Sequence, residues 1–318
     1  MDQIRELVMS WRAMDIINIA NGDEYVVESL LRLLGDEDTT TRLRALTAIG
    51  KLLGDPDGKI KSVVLKKGFS RLVTLLGDED GRIVSRTLEV LLRLLEGVQI
   101  DENRLLTLIE ASVPVAERED TFIYLSLLEL FRKLQMPPLS WKVGAKIDGL
   151  LNADNIYLRT LGMRLLLNSG SLDGKSKVVL ECITDLLTSS NVLLIEAGLD
   201  FLEEVLAFHL SPDMMKHLVR FLHVLKNLEN GAESVLVRSR ASSVRTEVER
   251  VLFSYYRSRT EEALEVIKEL LLGRHVEEAL NLALMLGGTS LLLSLWAGEG
   301  DGPDPKLLME LLMPSRMP

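Results

Sequence analysis

Apolar and polar residues alternate at helical spacing along most of this chain. The pattern is clearest from Leu33 to Leu52, where the sequence reads LLGDEDTTTRLRALTAIGKL. Two leucines end one apolar face and a short polar segment follows. Apolar residues then recur every three or four positions, at Ala45, Ala48, Ile49 and Leu52. This periodicity predicts two α-helices joined by a tight turn, with the apolar stripe of the second helix facing a core.

The same pattern returns further along the chain and predicts an internal repeat. It begins again at Leu75 with LLGDEDGRIVSRTLEVLLRL, at Leu150 with LLNADNIYLRTLGMRLLL and at Leu186 with LLTSSNVLLIEAGLDFLEEVL. Glycine replaces the first alanine of the stripe, Ala45, in the last two copies, at Gly162 and Gly198. A small residue at this position indicates that two helices approach each other closely. Repeated helical hairpins of this kind stack side by side around one continuous core.

Aspartates in the polar turns are placed to cap the second helix of each unit. Asp36 and Asp38 precede that helix in the first copy, and Asp78 and Asp80 precede it in the second. Their carboxylates can accept hydrogen bonds from the amides that a helix N-terminus leaves without partners. The turns therefore predict where the second helices begin.

The first copy resembles the HEAT-repeat family, whose short consensus combines a leucine pair, an aspartate, a basic residue, and then alanine and leucine at helical spacing. The positions that carry the resemblance are Asp36, Arg42, Ala45, Ala48 and Leu52. In that family the turn aspartate and the basic residue often bond between adjacent repeats as a ladder. Arg159 keeps the basic position, whereas Val84 and Ile195 replace it, so the resemblance implies an interrupted ladder. Armadillo repeats, with three helices each, are the alternative.

Breaks between the apolar stretches give the order of the elements. A first helix over 2–20 is expected to cap the stack, and Ser211-Pro212-Asp213 opens a later helix with a capping residue and a proline. A polar loop is predicted from Asn227 to Ser234. The helical hairpins are predicted at about 24–53, 57–96, 101–135, 139–169, 174–209 and 260–297.

These elements predict an all-α fold. It is a right-handed α-solenoid of about seven antiparallel HEAT-like hairpins, with a capping N-terminal helix and a short C-terminal helix. Residues 1–297 are expected to form one domain. Residues 298–318 are expected to form a flexible linker and a short amphipathic tail helix.

Charge and cysteine content indicate which partners and which cellular compartment to expect. The formal net charge is −10, which disfavours nonspecific binding of nucleic acid because contact with phosphates needs a basic surface. The one cysteine, Cys182, lies in a leucine-rich stretch and is expected to be a buried, inert thiol of a reducing compartment. The N-terminal residues lack the pattern of a signal peptide. Glutamine occurs at Gln3, Gln99 and Gln135, and this scarcity is typical of thermophilic proteins.

The uncharged run 281–298 is borderline in length for a membrane span. Gly287-Gly288-Thr289-Ser290 interrupts it with a helix stop followed by a cap, so two short buried helices explain it better. We therefore expect a cytoplasmic protein without a membrane span.

The sequence contains no pattern that predicts catalysis, a cofactor or a bound metal. It lacks a phosphate-binding glycine loop and the Gly-x-Ser-x-Gly motif of hydrolases. The four histidines are His209, His217, His223 and His275. His217 and His223 are six residues apart, whereas paired metal ligands on a helix usually lie three or four apart. The chain is therefore expected not to be an enzyme and to need no cofactor.

Five cations are candidate binding residues because they share positions on successive second helices. Lys51, Arg93 and Lys133 lie near the C-termini of three such helices, and Arg44 and Arg86 lie two turns earlier on the same faces. Stacking would align them into a basic stripe on the concave face. Two interpretations stay open: the stripe binds a ligand, or it is a solvated face whose cations are favoured by the helix dipole.

Two other charged groups bear on the same surface. Acidic residues occupy the later second helix, so the groove is expected to run from basic to acidic; they are Glu196, Asp200, Glu203 and Glu204. A second basic zone, interpreted as an exposed helix face or a docking zone for acidic protein, comprises Lys216, Arg220, Lys226, Arg238, Arg240 and Arg245.

The C-terminal segment carries an amphipathic pattern of its own. One helical face would present Leu307, Leu308, Leu311 and Leu312. A helix this short is unstable alone in water and needs an apolar surface to pack on. Either it folds back onto its own last repeat or it enters a groove on another chain, which includes a second copy of the same protein.

The leading functional hypothesis is a non-catalytic scaffold or adaptor for protein–protein interaction. The concave face and the C-terminal helix would hold the protein partners. The alternative is a nucleic-acid-associated solenoid that contacts the phosphate backbone through the basic stripe, and this alternative predicts binding that weakens steeply with salt.

Overall fold

The computed structural model describes residues 2–10, 19, 24–54, 58–170, 172, 174–208 and 210–287. The chain divides into two compact units, Met1–Ser171 and Leu172–Pro318. Almost all the described residues are helical, and the β-structure among them is one bridge between Gln99 and Gln135.

The first unit consists of helical hairpins preceded by one helix. A 3-10 turn at Leu75–Gly77 follows α5. The helices are α1 Asp2–Met9, α2 Glu24–Leu33, α3 Thr39–Leu52, α4 Lys59–Lys67, α5 Phe69–Thr74, α6 Gly81–Leu95, α7 Glu102–Glu117, α8 Thr121–Lys133, α9 Trp141–Leu151 and α10 Ile156–Asn168.

These helices pack in two layers. The second helices of the hairpins lie side by side in the order α3, α6, α8, α10, and α1 packs against α3 at the start of the row. The first helices, α2, α4 with α5, α7 and α9, form the other layer. Leu46, Leu91 and Phe131 are fully buried between the layers. The apolar stripe of each second helix thus faces the first helices, as its periodicity predicts.

The second unit repeats this arrangement with longer helices. The α11–α12 hairpin packs against the α13–α14 hairpin, α11 on α13 and α12 on α14, and α16 packs against α13 and α14. The helices are α11 Ser176–Leu187, α12 Val192–Phe208, α13 Pro212–Gly231, α14 Val235–Tyr256, α15 Thr260–Leu272 and α16 Val276–Leu286. The fold is therefore all-α and built of antiparallel helical hairpins, as predicted. The prediction of one domain over 1–297 stays a prediction.

The turn aspartates cap the second helices. The Asp38 carboxylate accepts a hydrogen bond from the Thr41 amide at 2.8 Å, and Asp36 accepts one from the Asp38 amide at 3.0 Å. The next turn repeats the arrangement at 2.9 Å for both bonds, from Arg82 to Asp80 and from Asp80 to Asp78. The predicted helix starts are confirmed at both turns.

Glycine allows the two helices of a hairpin to cross closely at the predicted positions. A Cβ atom on Gly162 would lie 2.9 Å from the Cβ of Leu150, and one on Gly198 would lie 3.0 Å from the Cβ of Leu186. Both distances are shorter than ordinary carbon–carbon contact, which begins at about 3.5 Å. The glycines therefore set the distance between α9 and α10 and between α11 and α12.

Two predicted boundaries are wrong in detail. The helix α1 ends at Met9, where the Ser10 hydroxyl bonds back to the Leu7 carbonyl, and residues 11–18 lie outside the described part. The predicted loop from Asn227 is helical as far as Gly231, because the Asn227 amide bonds His223 one turn back and Leu228 is half-buried. A tight turn over residues 232–234 then connects α13 to α14.

The first helix of the second repeat is split at Gly68 into α4 and α5. A Cβ at Gly68 would lie 2.5 Å from a methyl carbon of Leu31, so the helix axis changes direction where α2 approaches. With α6 this repeat has three helices, which is the armadillo arrangement.

The C-terminal predictions fall partly outside the described residues. The helix α16 ends at Leu286, directly before the predicted stop at Gly287. None of the described helices has the length and apolarity needed to cross a membrane. The tail leucines Leu307, Leu308, Leu311 and Leu312 lie outside the described residues.

Candidate binding surface

Three neighbouring helices of the first unit, α3, α6 and α8, present equivalent residues in rows. On the outer side of each helix, one residue per turn is exposed or half-buried. Thr47 is the exception and is buried. The rows, read from α3 to α8, are Thr40, Arg82 and Phe122; Arg44, Arg86 and Ser126; Thr47, Glu89 and Glu129; and Lys51, Arg93 and Lys133. We call this surface the second-helix face. It contains all five cations predicted from the sequence.

Three of the predicted cations line one recess on this face. Lys51, Arg86 and Arg93 surround a cavity of about 140 Å³ between α3 and α6, together with Thr47 and Glu89. One carboxylate therefore faces three cations, so the recess carries a net positive charge.

Two of the predicted cations also have a structural role. The Arg93 guanidinium donates a hydrogen bond to the Gly50 carbonyl at 2.9 Å, and Arg44 donates one to the Met9 carbonyl. Both acceptors lie in the last turn of the preceding helix in the row, α3 and α1, where carbonyls lack intrahelical partners. The cations interact favourably there with the negative end of the helix dipole. For Arg44 and Arg93, these contacts support the second interpretation of the basic stripe, in which the helix dipole favours the cations.

The other three cations differ in their pairing. Arg86 forms an ion pair with Glu89, and Lys133 lies 3.3 Å from Glu129 within α8. Burial raises the pKa of Glu129, but Arg132 and Lys133 outweigh that effect and hold it below its usual value. Lys51 is exposed, and its ammonium group makes no hydrogen bond or ion pair with another described residue. Lys51 is thus the cation most readily available to a ligand.

A second recess, which the sequence reasoning missed, adjoins the first on the same face. Its cavity of about 560 Å³ lies over the N-terminal halves of α6 and α8. Phe122 lines it together with the cations Arg82 and Arg86 and the carboxylates Asp80, Glu89 and Asp120. The Phe122 side chain is 75% exposed. The available signal was an aromatic residue at the helix position that the two preceding repeats fill with the polar residues Thr40 and Arg82.

In the second unit, one cation of the basic zone pairs with the acidic zone and two others make contacts within the α13–α14 hairpin. Arg240 of α14 lies 2.6 Å from Asp200 and 2.9 Å from Glu203 of α12, and Arg245 lies 2.9 Å from Glu229. The Arg238 guanidinium donates to the Ala232 carbonyl at 3.0 Å and so closes the α13–α14 turn. These arginines and carboxylates hold the hairpins of this unit together.

Other candidate groups are either buried or lie apart. Cys182 is buried on α11, as predicted. His223 lies 2.5 Å from Glu277 of α16, and His275 lies 3.7 Å from Glu278, so each described pair joins one imidazole to one carboxylate. Among the described residues, no cluster of three or more histidine, cysteine or acidic side chains has the geometry of a metal site.

Stacked helical hairpins with turn-aspartate caps and close glycine crossings define a HEAT/armadillo-like helical-repeat protein. Comparison with solved structures agrees. The chain is similar to the archaeal HEAT-like repeats protein from Thermococcus onnurineus NA1, with 26% identity and a TM-score of 0.64. That match covers 79% of this chain and 97% of the other. The repeat family suggested by the turn sequences is therefore confirmed at the level of the fold.

Two further similar structures are more distant. One is an engineered protein with 18% identity and a TM-score of 0.44, covering 70% of this chain and 98% of that one. The other is a designed armadillo repeat protein with 14% identity and a TM-score of 0.40, covering 70% and 99%. No protein-family model and no curated protein sequence matches the chain.

Proposed function

We propose that this chain is a non-catalytic protein-interaction scaffold that holds an acidic segment of a partner protein on the second-helix face. The observation that carries the proposal is the pair of adjoining recesses, which share Arg86 and Glu89. One recess offers the exposed Lys51 ammonium, and the other offers the exposed ring of Phe122.

The chemistry of the face suits a peptide with carboxylates and one apolar anchor. Arginine and lysine provide directional donors for carboxylates, and an exposed aromatic ring provides the apolar contact that dominates the energy of many interfaces. In the last row each helix contributes a cation, so a partner lying across α3, α6 and α8 would meet Lys51, Arg93 and Lys133 in turn. A nucleic acid carries a negative charge at every phosphate, so the overall charge of −10 disfavours it more than it disfavours a peptide with a few carboxylates.

The experiment is a selection of short random displayed peptides on the immobilised full chain, followed by measurement of each Kd. We expect enrichment of peptides with Asp or Glu around a Phe, Trp or Leu. Lys51→Glu/Arg86→Glu and Phe122→Ser should each weaken binding at least about tenfold, the equivalent of one good interface contact.

The matched control is Lys177→Glu/Arg250→Glu in the second unit, which reverses two cations that are 68% and 69% exposed. Like Arg86, Arg250 pairs with a glutamate three residues away, so both double variants lose one such pair. The control should bind the selected peptides as the wild type does. Equal loss in both double variants would contradict the proposal.

The nucleic-acid alternative is tested by the same variants with a labelled single-stranded oligonucleotide. Binding through Lys51 and Arg86 that falls steeply between low and physiological salt, without any selected peptide, would replace the scaffold proposal with that alternative.

A further inference from the structure

An apolar recess in the second unit has no assigned role. It is a cavity of about 720 Å³ between the α11–α12 turn and the α13–α14 turn, and we call it the turn groove. Its apolar lining is formed by Leu187, Val192, Ile195, Val224, Leu228 and Val237.

The lining is open to solvent. Val192, the first residue of α12, is 40% exposed. Next to the groove, Val235 and Leu236 begin α14 and are 69% and 59% exposed. A cluster of exposed aliphatic side chains around a concave apolar surface is typical of a binding site, because isolated exposed leucines and valines are normally scattered.

One end of the groove is fixed to the last described helix. His223 lines the groove, and its Nδ1 lies 2.5 Å from the Glu277 carboxylate in the first turn of α16. The chain that follows α16 therefore departs from a point one helix length away from the groove, about 16 Å at 1.5 Å per residue.

The following chain contains an apolar segment that matches the groove and can reach it. Lys306–Met313 has the sequence KLLMELLM, whose leucines recur at the spacing of one helical face. The residues between Gly287 and Pro305 can span up to about 60 Å when extended, several times the distance required. We propose that Lys306–Met313 docks as a helix in the turn groove of the same chain.

Tethering favours this occupant over a separate molecule. A covalent connection of this length keeps the segment at an effective concentration of roughly millimolar near the groove, so even weak apolar contacts suffice to hold it. The leucines would cover Val192 and Leu228, and a helix too short to be stable alone would gain the apolar surface that it needs. This inference is independent of the function proposed for the second-helix face.

The test uses a labelled synthetic peptide of residues 303–316 and four full-length proteins. In the wild type the groove is already occupied. In Leu308→Asp/Leu311→Asp the tail cannot dock and the groove is free. We expect this tail variant to bind the peptide at least about tenfold more tightly than the wild type does, since the competing tethered segment is lost.

The third protein adds Val192→Gln/Leu228→Gln to the tail variant and should no longer bind the peptide. Adding Phe208→Gln instead, at the opposite end of α12 where the side chain is 80% exposed, should leave binding unchanged. Circular dichroism would show that each protein remains helical. Equal binding by the wild type and the tail variant, or no binding by either, would overturn the proposal. So would a concentration-dependent dimer in sedimentation that Leu308→Asp/Leu311→Asp abolishes, because the segment would then occupy a second copy.

Discussion

Arg42 on α3 lies 3.0 Å from the Asp78 carboxylate in the turn of the following repeat. The two side chains are 17% and 10% exposed, so the ion pair is largely withdrawn from water. The same guanidinium donates to the carbonyls of Asp36 and Glu37 at 2.9 and 3.0 Å. Arg42 therefore stabilises the turn of its own repeat and links it to the turn of the next repeat. This link is one step of the ladder that the HEAT resemblance implies. In the second copy, where Val84 replaces the arginine, Arg118 of α7 donates to the Asp78 carbonyl instead.

We predict that Arg42→Met lowers the free energy of unfolding by about 2 kcal/mol, because it leaves the mostly buried Asp78 carboxylate without its charged partner and two carbonyls without the guanidinium donor. The comparison variant is Arg5→Met, which removes the ion pair from Arg5 to Asp36 at the start of the row. Arg5 is 56% exposed, so this loss should stay below about 1 kcal/mol. Urea unfolding of both variants measures the difference, and equal losses would contradict a special role for Arg42.

The glycine crossings give a second prediction, in which local helix propensity and packing act in opposite directions. Alanine is favoured over glycine inside a helix by about 1 kcal/mol. At Gly162 and Gly198 the added methyl group would meet Leu150 and Leu186 at about 3 Å, so we expect each Gly→Ala substitution to destabilise the protein by about 1–3 kcal/mol.

Gly144 of α9 is the matched control, since nothing lies within 4 Å of its added Cβ. Gly144→Ala should stabilise the protein by about 0.5–1 kcal/mol through helix propensity alone. Thermal or urea unfolding distinguishes the two kinds of position. A stabilising effect of alanine at all three glycines would contradict the close crossings.

The sequence predicted these features because each depends on a local pattern. The turn aspartates, the helix periodicity and the small residue at the crossing are all visible within one repeat. The split at Gly68 was not predicted, because its cause is the Leu31 side chain of the preceding repeat. The continuation of α13 through Asn227 was missed because a polar stretch looks like a loop until its bond to His223 is known.

The surface was harder to predict than the fold. Positions on the second-helix face followed correctly from the spacing of Lys51, Arg93 and Lys133. Their chemical environments did not, since the bond from Arg93 to Gly50 joins residues of two repeats. Phe122 was overlooked because one exposed aromatic residue leaves no periodic signal, and the turn groove arises only where two turns meet.

The Asp80 cap predicts a specific loss of stability in acid. The Arg82 guanidinium, followed by the Arg82 amide, lowers the pKa of Asp80 from 3.8 to about 2. A carboxyl whose pKa is depressed in the folded chain stabilises that state fully above its unfolded pKa, and the contribution is lost as the pH falls from about 4 towards 2. Stability should therefore decline over that range.

Asp80→Asn isolates the charge, because asparagine caps a helix about as well as aspartate does. The variant should be less stable than the wild type at pH 7, and the difference should shrink as the pH falls towards 2. Urea midpoints measured at several pH values test this. A difference that stays constant across the range would show that the Asp80 charge does not contribute.

Arg93 and Lys51 allow the structural and binding roles of the basic row to be separated. Arg93 donates to the Gly50 carbonyl at the end of α3, whereas the Lys51 ammonium has no partner among the described residues. We predict that Arg93→Gln lowers the free energy of unfolding by about 1 kcal/mol through loss of this bond and of the charge at the helix end. Lys51→Gln should change it by less than about 0.5 kcal/mol, as is usual for an exposed side chain.

Both variants should weaken binding of an acidic peptide, since both side chains line the same recess. Equal stability of the two variants would contradict the capping role of Arg93, and unchanged peptide binding in Lys51→Gln would remove the recess from the proposed site.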